Sequence, residues 1–295
     1  MRVFFLNKLI HYVKINNRFY EKEEKMEQFI NLLNYTFIQR ALICGVAISL
    51  CAALIGVTLV LKNYSMIGHG LGEVGFASLT LAVALGLPPL AVSLPIVMVA
   101  AIIIMIISQK KGESGDIPIA LVSTGALALG IIITSLSTGF NIDVSNYMFG
   151  SILSMKRSDV IISVILSMAV FAIYMIFYNR LFMITYDEKF AKARGINVTF
   201  YQFLISFLTA LIVVLGMRMM GTLLISSLIV FPAIIAKGLT GSFKELIIIS
   251  GIISVICFIL GMLLSFFINL PTGASIVLVY IVLLIITKIV NKVIA

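Results

Sequence analysis

The chain has 295 residues, 61% hydrophobic and 11% charged, with a net charge of +9 and a mean hydropathy of +1.19. Soluble domains sit near half apolar and a quarter charged, so these figures exclude a soluble globular enzyme and describe a polytopic membrane protein. The positive charge does not mark a nucleic-acid binder, because the basic residues fall in short loops between apolar runs, where membrane topology accounts for them.

Residues 1–36 form an N-terminal tail with a basic, aromatic start (Arg2, Phe4, Phe5, Lys8, His11, Lys14, Arg18), followed by Glu21-Lys22-Glu23-Glu24-Lys25. Two readings stand side by side: an interfacial amphipathic helix, or an upstream extension with Met26 as the natural start. A cleavable signal peptide is not expected, since the stretch lacks a long apolar core and a small-residue cleavage site.

Apolar runs long enough to cross about 30 Å of hydrocarbon follow near 37–61, 66–86, 90–108, 117–137, 159–179, 200–217, 220–237, 245–268 and 273–290. They predict an all-α bundle of about nine spans in one transmembrane domain over 37–291. The 220–237 run is among the shortest, and Pro232 within it is expected to break or kink its helix and to serve packing or gating. Alternating the loops places Lys62, Lys110, Lys111, Arg180, Lys189, Lys192, Arg194, Lys237, Lys244, Lys288 and Lys292 on one side. Only Arg40, Lys156, Arg157 and Arg218 lie opposite. The richer side is expected to be cytoplasmic. The basic tail would fall on the other side, which counts toward Met26 as the start.

Two loops stand out. Residues 138–158 are semi-apolar and predict a short helix at the outer surface, where Asn141 and Asp143 either draw cations in or are simply solvated. Residues 180–199 form the largest inner loop. There Thr185-Tyr186-Asp187-Glu188 fits a capping box, with Thr185 as the N-cap and Glu188 three residues on. Gly195 is placed to end the helix. The expected product is a short helix from Asp187 to Arg194 presenting Phe190, Ala191 and Ala193 among charges. A bare linker needs only a few residues, so a capped helix here reads as a docking surface.

Chemistry concentrates in Ser65-Met66-Ile67-Gly68-His69-Gly70-Leu71-Gly72-Glu73-Val74-Gly75-Phe76-Ala77. His69 is the only histidine beyond the tail, and on a helix Glu73, four residues on, shares its face. Charged residues at membrane depth cost about 2.5–3.5 kcal/mol each on insertion scales, so such a pair is read as functional. Imidazole with carboxylate suits a first-row divalent metal ion. Two ligands are too few for a closed zinc site, but an ion that must leave again needs an open one. The alternative is a helix-packing pair bonded to itself or to backbone. Gly68, Gly70, Gly72 and Gly75 leave the helix bare enough for a neighbouring backbone or an ion to approach.

Gly70 to Gly75 also spells G-x-G-x-x-G, but without the preceding strand and βαβ unit a dinucleotide site requires. No G-x-x-x-x-G-K-[ST] occurs, so the chain itself carries no P-loop ATPase. Cys44, Cys51 and Cys257 lie in apolar segments without C-x-x-C spacing and read as small packing residues.

From about Phe37 to Ile289 the chain resembles the membrane permease of ABC importers for zinc, manganese and iron. The resemblance rests on Gln39-Arg40-Ala41-Leu42, Ser65-Met66-Ile67-Gly68-His69, Gly125-Ala126-Leu127-Ala128-Leu129-Gly130 and Phe149-Gly150-Ser151-Ile152-Leu153. It continues through Asp187-Glu188 with Ala191 and Gly195, Gly221-Thr222-Leu223-Leu224, Phe231-Pro232-Ala233 and Leu270-Pro271-Thr272-Gly273-Ala274. It implies a non-enzymatic, multi-pass subunit of the bacterial inner membrane, with a fold similar to the cobalamin and siderophore permeases. It further implies a homodimer in membrane lipid, a cytosolic ABC ATPase dimer, and an extracellular or periplasmic metal-binding protein. Neither a nucleic-acid partner nor a permanently bound cofactor is implied, only a transported divalent ion: zinc first, then manganese or iron.

In such permeases the inner loop carries the ATPase-docking helix, here Thr185, Asp187, Glu188, Phe190, Ala191 and Gly195. One departure stands out. The family usually has Asp where this chain has His69, and Ser-His where it has Gly72-Glu73, so the two ligand types are kept in swapped order. The rival reading is an ion-coupled secondary transporter or channel without an ATPase. Such proteins often repeat a paired broken helix, and no second copy of the His-Glu stretch is present.

Overall fold

The structure, a computed structural model, describes residues 35–111, 116–136, 157–268 and 270–294. The tail up to residue 34 and the outer segment 137–156, with Asn141, Asp143 and the Phe149–Leu153 run, lie outside them. Eleven helices are described: α1 (Thr36–Leu61), α2 (Ile67–Ala84), α3 (Pro89–Lys111), α4 (Asp116–Leu136), α5 (Arg157–Ile176), α6 (Tyr178–Tyr186), α7 (Glu188–Ala193), α8 (Val198–Met220), α9 (Thr222–Lys237), α10 (Phe243–Ile268) and α11 (Thr272–Ile294). Eight of these are long and apolar enough to cross a membrane, and α9, at 16 residues, is a shorter apolar helix. The nine expected runs are therefore all helical.

Two local expectations are corrected. The fifth run does not end in a loop: α5 stops at Ile176, and the chain re-forms as α6 inside the stretch expected to be a linker. Leu181 and Ile184 are fully buried, so tertiary packing holds this nine-residue helix of about two and a half turns against the bundle. Of the break or kink expected at Pro232, the break does not occur: α9 runs continuously through it. The proline removes one hydrogen bond, but α1, α2, α8, α10 and α11 all pack around α9 and hold its turns in place.

The centre of the bundle is α1 and α8, whose most apolar windows are 78% and 72% buried; α4, at 17%, is the most peripheral. Lipid is as apolar as leucine, so helices associate by close backbone approach and interhelical hydrogen bonds. Both are present. A Cβ on Gly56 would lie 1.9 Å from the Ile229 carbonyl oxygen of α9, and one on Gly261 would lie 2.4 Å from Ile276 Cα of α11. Thr58 and Tyr174 share a buried 2.9 Å hydroxyl pair between α1 and α5. Tyr280 donates to the Ser254 carbonyl at 3.1 Å, while the Ser254 hydroxyl donates to the Ser49 carbonyl at 2.9 Å.

Gly221 alone joins α8 to α9, at φ 85° and ψ 162°, a region essentially confined to glycine. The ends of the bundle are marked by charge. Lys62 pairs with Glu188 at one end, and Arg218 pairs with Asp159 at the other. Gln202, bonded to Glu188, and Arg218 are 16 residues apart on α8, about 24 Å along its axis. The two pairs thus fall on the opposite sides to which the loop charges had been sorted.

Candidate functional site

Tyr64, Ser65 and Met66 turn the chain from α1 into α2, and His69 stands in the first turn of α2. His69 Nε2 lies 3.2 Å from Glu73 Oε1, so the expected shared face is realised. The imidazole is half exposed (52%) and the carboxylate is 19% exposed. Gly56 near the end of α1 and Gly68 both face Ile229. The pair therefore stands about five residues, some 8 Å, inside the end of α1 rather than at its rim.

The pair lines a groove of about 310 Å³ between α2 and α4, with Met66, Ile119, Ala120, Ser123, Thr124 and Leu127 as the other walls. The Ser123 and Thr124 hydroxyls both donate to the Ala120 carbonyl. This leaves their oxygen lone pairs free to accept from water or to meet a cation. Among the described residues no cluster of three or more His, Cys, Asp or Glu side chains could hold a metal ion. What the arrangement offers is two ligands with an open side. At bond lengths of about 2.1 Å, a separation of 3.2 Å corresponds to an N–metal–O angle of about 100°, between octahedral and tetrahedral values.

The flanking glycines serve helix approach. A Cβ on Gly70 would come within 2.6 Å of Ile119 Cγ2 on α4, one on Gly68 within 2.9 Å of Ile229 Cδ1, and one on Gly72 within 3.2 Å of Thr222 Cβ on α9. The open side of α2 is thus the His69 side alone.

At the inner loop the helix is present but its cap differs from expectation. Thr185 is the penultimate residue of α6, and its hydroxyl donates back to the Leu181 carbonyl at 2.6 Å. Asp187, in extended conformation, is the N-cap, and its Oδ1 accepts from the Phe190 N–H at 3.0 Å. The helix runs Glu188–Ala193 rather than from Asp187 to Arg194. Gly195 ends it at φ 78°, with Gly195 N bonded to Lys192 O and Ile196 N to Ala191 O, as a left-handed glycine terminus requires. Ala191 is fully buried and so is not presented to a partner, whereas Phe190 is 49% exposed under the Arg194 guanidinium.

Asp187→Ala is expected to cost α7 about 1 kcal/mol, read as roughly fivefold faster tryptic cleavage at Lys189, Lys192 or Arg194 in detergent. Thr185→Ala should change the rate far less, and equal effects would refute the assignment of the cap.

Sequence reasoning used Lys62 only for topology and read Glu188 as a capping partner and a residue of the ATPase-docking helix, not as a partner of Lys62. In the structure Glu188 Oε1 accepts from Lys62 Nζ at 2.6 Å and from Gln202 Nε2 at 2.8 Å. The neighbouring Tyr64 phenol is pushed above its ordinary pKa, first by burial and then by the Glu188 carboxylate. No local pattern signals a contact between residues 126 positions apart.

The chain matches the family model described as the ABC 3 transport family over residues 34–291. It is 27% identical over 248 residues to the manganese transport system membrane protein MntC of Listeria monocytogenes, covering 84% of this chain and 88% of that one. Against the high-affinity zinc uptake system membrane protein ZnuB of Buchnera aphidicola it is 30% identical over 237 residues, covering 80% and 91%. Among solved structures, PsaBC from Streptococcus pneumoniae in complex with Fab superposes with a TM-score of 0.79 at 29% identity, covering 89% of this chain and 95% of that one. The inward-facing structure of a putative metal-chelate type ABC transporter shares the fold, with a TM-score of 0.69 at 15% identity and 85% coverage of both chains. An all-helical membrane bundle matched over nearly its whole described length by that model leads to one conclusion: the chain belongs to the ABC 3 transport family, as a multi-pass permease subunit of a bacterial transport system.

Proposed function

We propose that the chain is the permease of an ATP-driven importer for manganese or zinc, with His69 and Glu73 as transient ligands on the ion path. The observation that carries this reading is an imidazole–carboxylate pair, preset 3.2 Å apart and open to a groove between α2 and the peripheral α4. Polar groups in that setting need water or a second protein surface beside them. A second copy of the chain facing the groove would supply the other wall of a central path, and the remaining ligands would be water or hydroxyls. As a component of an ABC system the permease works with an ATPase and a binding protein. In this reading α7 docks the ATPase through Phe190, and ATP-driven closure moves the inner ends of the helices so that the groove opens to alternate sides.

Relatives named for manganese and for zinc match at 27% and 30% identity, so the zinc-first order drawn from the sequence gains no support from them. The raw affinity of an N/O site favours zinc over manganese; a manganese path would rely on more oxygen ligands and a higher coordination number. The test is uptake of radiolabelled Mn²⁺ and Zn²⁺ into proteoliposomes holding the permease, its ATPase and the binding protein. The expected result is ATP-dependent accumulation of one of the two ions. Uptake that persists without ATP would replace the reading with an ion-coupled transporter, and uptake of neither ion would overturn the metal reading.

A further inference from the structure

Long cationic side chains normally extend into water, yet the Lys62 side chain is only 8% exposed while its partner Glu188 is 41% exposed. The buried member belongs to the end of α1 and the accessible member is the first residue of α7. An exposed ion pair contributes little. Here, removing the carboxylate would leave a nearly buried ammonium uncompensated, which holds the two elements together strongly.

From Lys62 the connection to His69 is short and hydrogen-bonded throughout. Lys62 caps α1; Tyr64 N bonds to Leu59 O at 2.9 Å, Ile67 N to Tyr64 O at 3.1 Å, and Gly70 N to Met66 O at 3.0 Å. Asn63 holds the turn at φ 59°. The Gln202 amide donates to the same carboxylate from α8, so a shift of α7 pulls on the end of α1 and on α8 together.

We propose that the Lys62–Glu188 pair is the strut that carries displacement of α7 to the His69 end of α2, making both positioning residues for transport; this rests on the reading of α7 as the ATPase-docking helix. Movement at the cytosolic loop then acts on the ion ligands through one salt bridge and one five-residue turn at the end of α1.

The test measures three quantities on the reconstituted permease–ATPase complex with its binding protein: copurified ATPase, ATP hydrolysed, and metal ions taken up. Lys62→Met keeps the length of the stem and removes the charge. It is expected to retain the ATPase and its hydrolysis while the ATP consumed per ion rises about tenfold or more, within the usual range of coupling free energies. The exchange Lys62→Glu/Glu188→Lys is expected to bring that ratio back toward the parent value. A parent ratio in Lys62→Met would overturn the strut, as would loss of the ATPase or of the folded complex in Lys62→Met without recovery in the exchange. The docking reading has its own control: Phe190→Asp should abolish ATPase copurification. If it does not, α7 is not the docking helix and that reading fails on a result separate from the Lys62 ratio.

Discussion

Changing His69 and Glu73 together to alanine is expected to lower metal uptake by about a hundredfold or more, since loss of even an outer-shell partner costs 10–100-fold in metal affinity. The fold should survive the change. His69 is half exposed and lies 3.2 Å from Glu73, alanine is the best helix former, and removing two ionisable groups from membrane depth relieves an insertion cost. Loss of uptake from an intact complex would therefore report on the ion path and not on stability. The informative companion is His69→Asp/Glu73→His, which restores the ligand order usual in the resembling permeases while keeping one imidazole and one carboxylate. It is expected to transport. Normal uptake by the double alanine variant would reduce the pair to helix packing.

The second large effect is structural. Gly56→Val is expected to abolish accumulation of folded permease, because its Cβ would stand 1.9 Å from a backbone carbonyl oxygen, a distance no side-chain rotation can relieve. α1 and α9 would have to part, and overpacking of a close-packed core costs about 1–3 kcal/mol even where the neighbours can adjust. Here five helices surround α9 and leave it nowhere to go. Gly251→Ala on α10 is the matched control, since no heavy atom lies within 4 Å of its Cβ position. Fluorescence-detected size exclusion after heating separates the two: a sharp loss for Gly56→Val and an unchanged or slightly raised midpoint for Gly251→Ala. Equal behaviour would show that the α1–α9 contact does not limit stability.

The spans were legible because the bilayer demands long apolar runs, and each of the nine expected runs is helical. The His69–Glu73 face was legible because helical periodicity is local. What escaped depended on competition or on distance. Thr185 and Asp187 are both good caps two residues apart. Only the burial of Leu181 and Ile184, which extends α6, commits the Thr185 hydroxyl to a carbonyl behind it and leaves Asp187 to cap α7. The glycines around His69 pointed to close approach, but only the fold shows that α4 and α9 are what approach. Lys62 and Glu188 each had a sufficient local explanation, and nothing in either joined them.

The single-residue link at Gly221 bears on how the protein is made. Two helices joined by one residue cannot enter the bilayer independently, so α8 and α9 insert as a hairpin, with the 23-residue member carrying the 16-residue one. A helix of that length spans about 24 Å, short of the hydrocarbon thickness. During synthesis α9 is therefore a poor resident of lipid until its neighbours pack around it, α1 most closely, with Gly56 against Ile229. The tolerance for defects in this permease is thus set at the α1–α9 seam, where Gly56 meets Ile229.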